Sequence, residues 1–305
     1  MRKQSLLILF ITTCITILLL YTACTYDYFE DETNYVVYIP EVRDKTVNDC
    51  RVMIYNESGL LVGDRFVGAS TNDPKLSLGL FTFRLPKGDY SVYCYANIDG
   101  VSFSGESTRE TSAFSLPLHD TEGVYRQPSD VFYDKFEHKI ENPGIRHSDT
   151  TAIERYVGRI TVRFKNIPFD MADLSNIELV AEGVASRQYL KHDTLTSHVM
   201  RGDDVLKHTD DVSSVSFSEG TLEVDHRYFP SVENSYKKLN FTFTDRGGDI
   251  VAIIQVGVTD PQTNLPIRLY SGKRIIIEVD RYLVSTIRLV GWDEDIKSGE
   301  SIGMW

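Results

Sequence analysis

Residues 159–165, Arg-Ile-Thr-Val-Arg-Phe-Lys, alternate polar and apolar side chains without a fault. Ile160, Val162 and Phe164 fall on one side and Arg159, Thr161, Arg163 and Lys165 on the other. That period of two predicts a strand with one buried face. Residues 238–244 and 274–279 repeat it, as does 250–258, less cleanly because both sides are partly apolar. The first half follows the same grammar. "RVMIYNESGLLVGDRFV" predicts a hairpin, two strands turning at Asn56-Glu57-Ser58-Gly59. In "GLFTFRLPKGDYSVYCYAN", Phe81, Phe83 and Leu85 form one apolar stripe, and Tyr90, Val92, Cys94 and Ala96 form the next. Pro86-Lys87-Gly88 turns the chain between them, proline presetting φ and glycine supplying a positive one.

Helical signals are few; "DMADLSNIE", from Asp170, is good for one turn. Between the halves, "HKIENPGIRHSDTTAIE" is polar, holds Asn142-Pro143-Gly144 and has no strand period, so the link is placed at 141–153. Short strands punctuated by turns predict an all-β chain of two tandem β-sandwich domains, 36–145 and 153–305.

The N-terminus departs from this grammar. Arg2 and Lys3 precede an apolar run from Leu6 to Leu20, the order of a secretory signal. The run is shorter than the ~20 residues that span a bilayer. It ends in Thr22-Ala23-Cys24, which resembles a bacterial lipobox, although Tyr21 stands where leucine is usual. On this reading residues 1–23 are a signal peptide, signal peptidase II cuts between Ala23 and Cys24, and the Cys24 thiol carries lipid. The alternative is an ordinary signal peptide with Cys24 incidental. At ~0.8 kcal/mol per buried CH₂, one acyl chain binds a membrane marginally, whereas two or three anchor it. Residues 24–35 then form a tether, crowded by Asp27, Glu30, Asp31 and Glu32. Such acidity resembles the surface-export signal of Bacteroidota lipoproteins, and like charges also keep a linker extended.

A net charge of −12 argues against nucleic acid or anionic lipid as a partner, since both need clustered Lys and Arg. The seventeen Tyr and fifteen Phe suit strands. Once the signal is removed, Cys50 and Cys94 remain besides Cys24; an oxidising compartment permits a disulfide between them, and two free thiols are equally allowed.

Catalytic patterns are missing from the sequence. The seven histidines form neither HExxH nor a zinc-type Cys/His spacing, so no metal site is predicted. His192 and His198 share a strand face by parity alone, and His119-Asp120 lacks a Gly-x-Ser-x-Gly partner. There is no Walker loop, dinucleotide fingerprint or EF-hand, and no cofactor or small-molecule substrate is implied. Arg201-Gly202-Asp203 spells an integrin tripeptide but reads equally as a polar turn. Trp292 and Trp305 both lie near the C-terminus, which leaves little for an aromatic sugar platform.

The lipobox, "RVMIYNESGLL", "LPKGDYSVYCYAN", "RYVGRITVRFKNIP" and "RYLVSTIRLVGWDED", in this order, resemble FimB-like fimbrial anchor subunits of type V pili in Bacteroidales. The resemblance covers nearly the whole mature chain. It implies transthyretin-like β-sandwiches, a lipid anchor in the outer membrane, and a non-enzymatic role at the base of a surface fibre whose partner is the major shaft subunit. Shaft relatives lose an N-terminal strand to an arginine-specific protease, and the vacated groove takes a strand from a neighbour. An anchor keeps its N-terminus, has no open groove and ends polymerisation. If it donates a strand, that strand is the tail 296–305, with Ile296, Ile302 and Met304 entering pockets; the plain alternative is a frayed terminus. Arg43, ahead of the 50–55 strand, is where a shaft-type cut would fall. The competing functions are a glycan-binding lipoprotein of a nutrient-uptake system, a fimbrial tip adhesin, and a hydrolase, for which no nucleophile constellation is visible.

Overall fold

Alternation in the sequence becomes strand in the structure. The computed structural model describes residues 32–68, 70–119, 124–167, 169–190, 198–199, 205–218, 220–231, 237–260, 263, 265–280 and 283–294. The chain runs β1 (Tyr35–Tyr38), α1 (Pro40–Arg43), β2 (Cys50–Asn56), β3 (Leu61–Val67), α2 (Pro74–Ser77), β4 (Leu80–Phe83) and β5 (Gly88–Ala96). It continues through β6 (Ser102–Ser104), β7 (Ala113–Ser115), β8 (Val124–Tyr125), β9 (Phe132–Ile140), β10 (His147–Thr150) and β11 (Glu154–Arg155). Next come β12 (Gly158–Lys165), β13 (Leu174–Glu182), β14 (Ala185–Tyr189), β15 (His198–Val199), β16 (Val205–Asp211) and β17 (Ser216–Ser218). The last strands are β18 (Thr221–Tyr228), β19 (Lys238–Asp245), β20 (Ile250–Gly257), β21 (Lys273–Asp280) and β22 (Leu283–Gly291).

The predicted hairpin is β2–β3, and Gly59 at its turn takes φ +75°. Gly88 differs from expectation. It opens β5, paired with Ile140, and is not among the positive-φ glycines; between β4 and β5 the chain passes through Pro86 and Lys87 from one sheet to the other. The single helical turn after Asp170 is a 3-10 turn at Met171–Asp173, leading straight into β13.

A three-stranded sheet, β10-β1-β4, faces a five-stranded sheet, β11-β9-β5-β2-β3. Tyr35 and Val37 from one meet Val52, Ile54, Val92 and Cys94 from the other in a common apolar core. The opposite face of β2 and β5 is also buried. Met53, Tyr55, Tyr93 and Tyr95 pack with Phe114, Leu116, Tyr156 and Phe229. This explains why tyrosine dominates β5: each of its two faces needs an apolar body, and a hydroxyl that reaches the rim finds a partner. Tyr55 Oη donates to Ser112 Oγ at 3.0 Å, and Tyr93 Oη to the Leu190 carbonyl at 3.1 Å. A small sheet, β15-β14-β7-β6, joins segments from both halves of the chain.

The remaining strands make two further sheets, β17-β18-β12-β21-β22 and β20-β19-β13-β16-β8. Ile160, Val162 and Phe164 point into the core they share, where Phe164 meets Phe241 and Phe243 edge-on at 5.1 and 5.3 Å. The other face of β12 is less open than its polar alternation predicts: Thr161 and Arg163 are buried too. β12 is the central strand, and its neighbours supply partners for those side chains. Arg163 Nε donates to Glu223 at 2.7 Å, Arg274 Nε to Thr161 at 2.7 Å, and Lys165 pairs with Glu278 at 3.0 Å. Paired, hydrogen-bonded charges tolerate burial that single ones do not. The polar run expected as a link likewise contributes strand, since His147–Thr150 is β10, parallel to β1.

Candidate assembly site

β1 begins eleven residues after Cys24 and fills the space between two strands. It pairs antiparallel with β4, Tyr35 opposite Phe83 and Tyr38 opposite Leu80, and parallel with β10, Tyr35 opposite His147 and Tyr38 opposite Thr150. Its backbone therefore serves both neighbours. Tyr35 and Val37 have no exposed surface, and burying side chains of this size contributes about 1.5–3 kcal/mol each.

Both ends of the strand are fastened. At the start, Asn34 Nδ2 donates to the carbonyls of Leu85 at 2.8 Å and Pro143 at 3.0 Å, while Asn34 Oδ1 accepts from Leu85 N at 2.8 Å. One amide thus clamps the strand to the chain on either side. At the far end, Ile39 N donates to the Gly79 carbonyl at 2.9 Å, and Thr151 N to the Tyr38 carbonyl at 3.1 Å. Gly79 takes φ +75°, and a Cβ there would lie 2.2 Å from the Ile39 carbonyl oxygen, so only glycine allows this approach.

Along β1, the Tyr35 ring stacks on His138 with centroids 4.4 Å apart. Its hydroxyl donates to Asp149 at 2.8 Å, and His138 Nδ1 reaches the same carboxylate at 2.7 Å. Burial, then the hydrogen bond to Asp149, pushes the Tyr35 hydroxyl far above its ordinary pKa. Burial lowers His138 despite the opposing pull of Asp149.

α1 follows β1 and ends at Arg43, whose side chain is 53% exposed and pairs with Asp44 at 2.8 Å. The bond expected for a shaft-type cut therefore lies on an exposed turn directly after the buried strand. At the other terminus, β22 is the edge of its sheet, and Trp292 follows it. The guanidinium groups of Arg155 and Arg159 lie over the Trp292 ring at 4.1 and 4.8 Å, and Arg159 Nη2 donates to the Trp292 carbonyl at 2.6 Å. Arg155 also makes a two-pronged bond with Asp130, at 2.7 and 3.0 Å, and lies over Phe132 at 5.0 Å. The point from which the tail departs is thus pinned beside β9 and β11.

A family model described as fimbrillin-A-associated anchor proteins Mfa1 and Mfa2 matches residues 40–297. This chain belongs to that family. Solved structures carry the same fold at low identity. An adhesin candidate from Bacteroides ovatus is 15% identical, with a TM-score of 0.55 over 78% of this chain and 87% of its own. A candidate polysaccharide-binding protein from Bacteroides thetaiotaomicron is 16% identical, with a TM-score of 0.55 over 87% and 99%. A candidate cell-adhesion protein from Bacteroides eggerthii is 13% identical, with a TM-score of 0.51 over 87% and 98%. No curated protein matches.

In this member of the anchor family, the other residues singled out by sequence fall as follows. Ala23, Cys24, His192, Asp120, the Arg201-Gly202-Asp203 tripeptide, Ile296, Ile302 and Met304 lie outside the described residues. Cys50 and Cys94 are buried free thiols, the second of the two states the sequence allowed. They sit diagonally across the β2–β5 pair, where Cys50 opposes Ala96 and Cys94 opposes Val52. Burial raises both thiols above their ordinary pKa. No metal site was predicted, yet His208, Asp210 and His226 converge. The readable part of that signal is His208-Thr209-Asp210, two ligand types on one strand face; His226, on another sheet, has no spacing that announces it.

Proposed function

We propose that this chain is the membrane-proximal root of a fimbria: a non-catalytic lipoprotein, held in the outer membrane through Cys24, that joins the shaft and ends its growth. The carrying observation is β1. It follows the acidic tether directly, is paired on both edges and is clamped by Asn34. A sandwich whose first strand is retained offers no vacant groove, so it accepts no strand from a neighbour. Family membership supports a fimbrial role. In this reading the bodies 36–145 and 153–305 act as two tandem domains that pass load from the shaft to the tether.

The bond to the shaft subunit falls to the tail 296–305. Ile296, Ile302 and Met304 supply its apolar side chains, and backbone pairing along an added strand resists pulling. Trp292, held by Arg155 and Arg159, provides a fixed point at which that load enters the fold.

The test is Cys24→Ala in cells that express the fibre. Loss of labelled palmitate together with release of whole fibres into the medium is expected. Fibres that stay cell-bound on an unacylated protein would refute the anchoring role.

A further inference from the structure

Two inward-facing rows of the second sheet pair carry polar residues where apolar ones are the rule. On β16 the row is Leu206, His208 and Asp210, with His208 and Asp210 opposite the buried Leu179 and Ile177 of β13. On β18 it is Leu222, Val224, His226 and Tyr228, with His226 opposite the buried Ile160 of β12. The rows face one another from different sheets. His208 Nε2 is 3.1 Å from Asp210 Oδ1, and His226 Nε2 is 2.8 Å from Asp210 Oδ2. All the ligand atoms of this cluster lie within 4.8 Å of one another.

Hydrogen bonding alone leaves this cluster in conflict. Gln127 Nε2 is 3.3 Å from His208 Nε2, while Gln127 Oε1 accepts from Arg227 N at 3.2 Å. If His208 Nε2 carries a hydrogen, it serves Asp210 but points a donor at the amide NH₂. If it is bare, it accepts from the amide, but its lone pair then faces a carboxylate oxygen. Rotating the Gln127 amide moves the donor–donor clash to Arg227 N–H. With His208 Nε2 in this position, either tautomer and either amide orientation leaves one contact mismatched.

We propose that His208, Asp210 and His226 form a site for one divalent transition-metal ion of the zinc class, bound by two imidazole nitrogens and a carboxylate. Imidazole with carboxylate is a zinc-type donor set. Tetrahedral bonds of 2.0–2.2 Å set neighbouring ligand atoms ~3.3 Å apart, near the two imidazole–carboxylate spacings of 3.1 and 2.8 Å. A cation takes the His208 lone pair and the facing Asp210 oxygen together, which removes the acceptor–acceptor opposition. The Gln127 amide is then released to donate to a water in the remaining position. The His208 side chain is 29% exposed and gives the ion an entry path, whereas His226 is sealed. Such an ion staples β16 to β18, and hence one sheet of the pair to the other, in a molecule whose proposed task is to carry tension.

The experiment uses the purified full chain, stripped with a chelator and titrated with zinc chloride. One zinc per chain is expected, with a Tm rise of about 5 °C when zinc is ~100-fold above Kd. Substituting Co²⁺ is expected to give the visible bands of a four-coordinate ion. His208→Ala, at a partly exposed side chain, is expected to keep the metal-free Tm while lowering zinc affinity at least 100-fold, and Asp210→Asn to weaken binding likewise. A wild-type chain that takes up no zinc overturns the proposal. So does zinc affinity left unchanged by both substitutions, which would place the ion elsewhere.

Discussion

Asn34 shows how much one side chain decides at the residue scale. Its amide bonds to Leu85 and Pro143 on the two flanks of β1 and is almost fully buried. Asn34→Ala leaves the buried Leu85 N–H and carbonyl without this partner, which costs about 1–3 kcal/mol. Urea unfolding checks this, and a loss under ~0.5 kcal/mol would deny the clamp. Lys237 is a second case, of opposite sign. It is fully buried with its ammonium on Ser231 Oγ, and burial, helped by the Arg268 charge, lowers its pKa to about 8. Below pH 8 the native state carries the whole penalty of the buried charge. Between 8 and the unfolded value of 10.5 the unfolded chain holds a proton the native state has lost, so stability rises with pH across that window. Lys237→Met is therefore expected to stabilise the protein at pH 7 by about 3 kcal/mol, with the gain shrinking toward pH 10. Equal gains at both pH values would show that the lysine is not buried as a cation. Neither residue is legible in the sequence, because an asparagine clamp and a sealed lysine are defined by what surrounds them, not by period.

At the scale of the element, strands with an apolar period were readable, and those without one were not. The stretches 238–244 and 274–279 lie within β19 and β21. β10 reads His-Ser-Asp-Thr, with nothing to bury, and is a strand because β1 offers it a parallel edge. β12 exceeded its pattern because two neighbouring strands supply Glu223 and Glu278 to its outward cations. The same reasoning gives β1 a testable property. Cutting the exposed Arg43–Asp44 bond in the purified protein with an arginine-specific protease is expected to leave 24–43 bound, because β1 is held by both edges and a buried core rather than by its C-terminal link. Size-exclusion chromatography checks this in buffer. If the fragment separates without denaturant, β1 is a removable strand, and the shaft-type reading replaces the anchor.

Across the whole molecule, family membership and an almost wholly β fold stand together, and what remains is the direction in which force travels. In the proposed arrangement lipid lies at one end, a strand-donating tail at the other, and two sheet pairs between. The Trp292 clamp lies next to the tail's point of departure. Removing 296–305 is accordingly expected to abolish fibre attachment while the protein stays folded on the membrane; fibres that remain attached would exclude donation by the tail. The proposed cleavage motif at Cys24 is read from linear sequence alone, whereas the filled β1 groove depends on strands separated by some hundred residues and emerges only on folding. The two meet in one measurement, the intact mass and N-terminal sequence of the protein recovered from fibre-bearing outer membranes. An acylated chain that begins at Cys24 and still contains β1 is expected. A chain that begins at Asp44 would overturn the anchoring role.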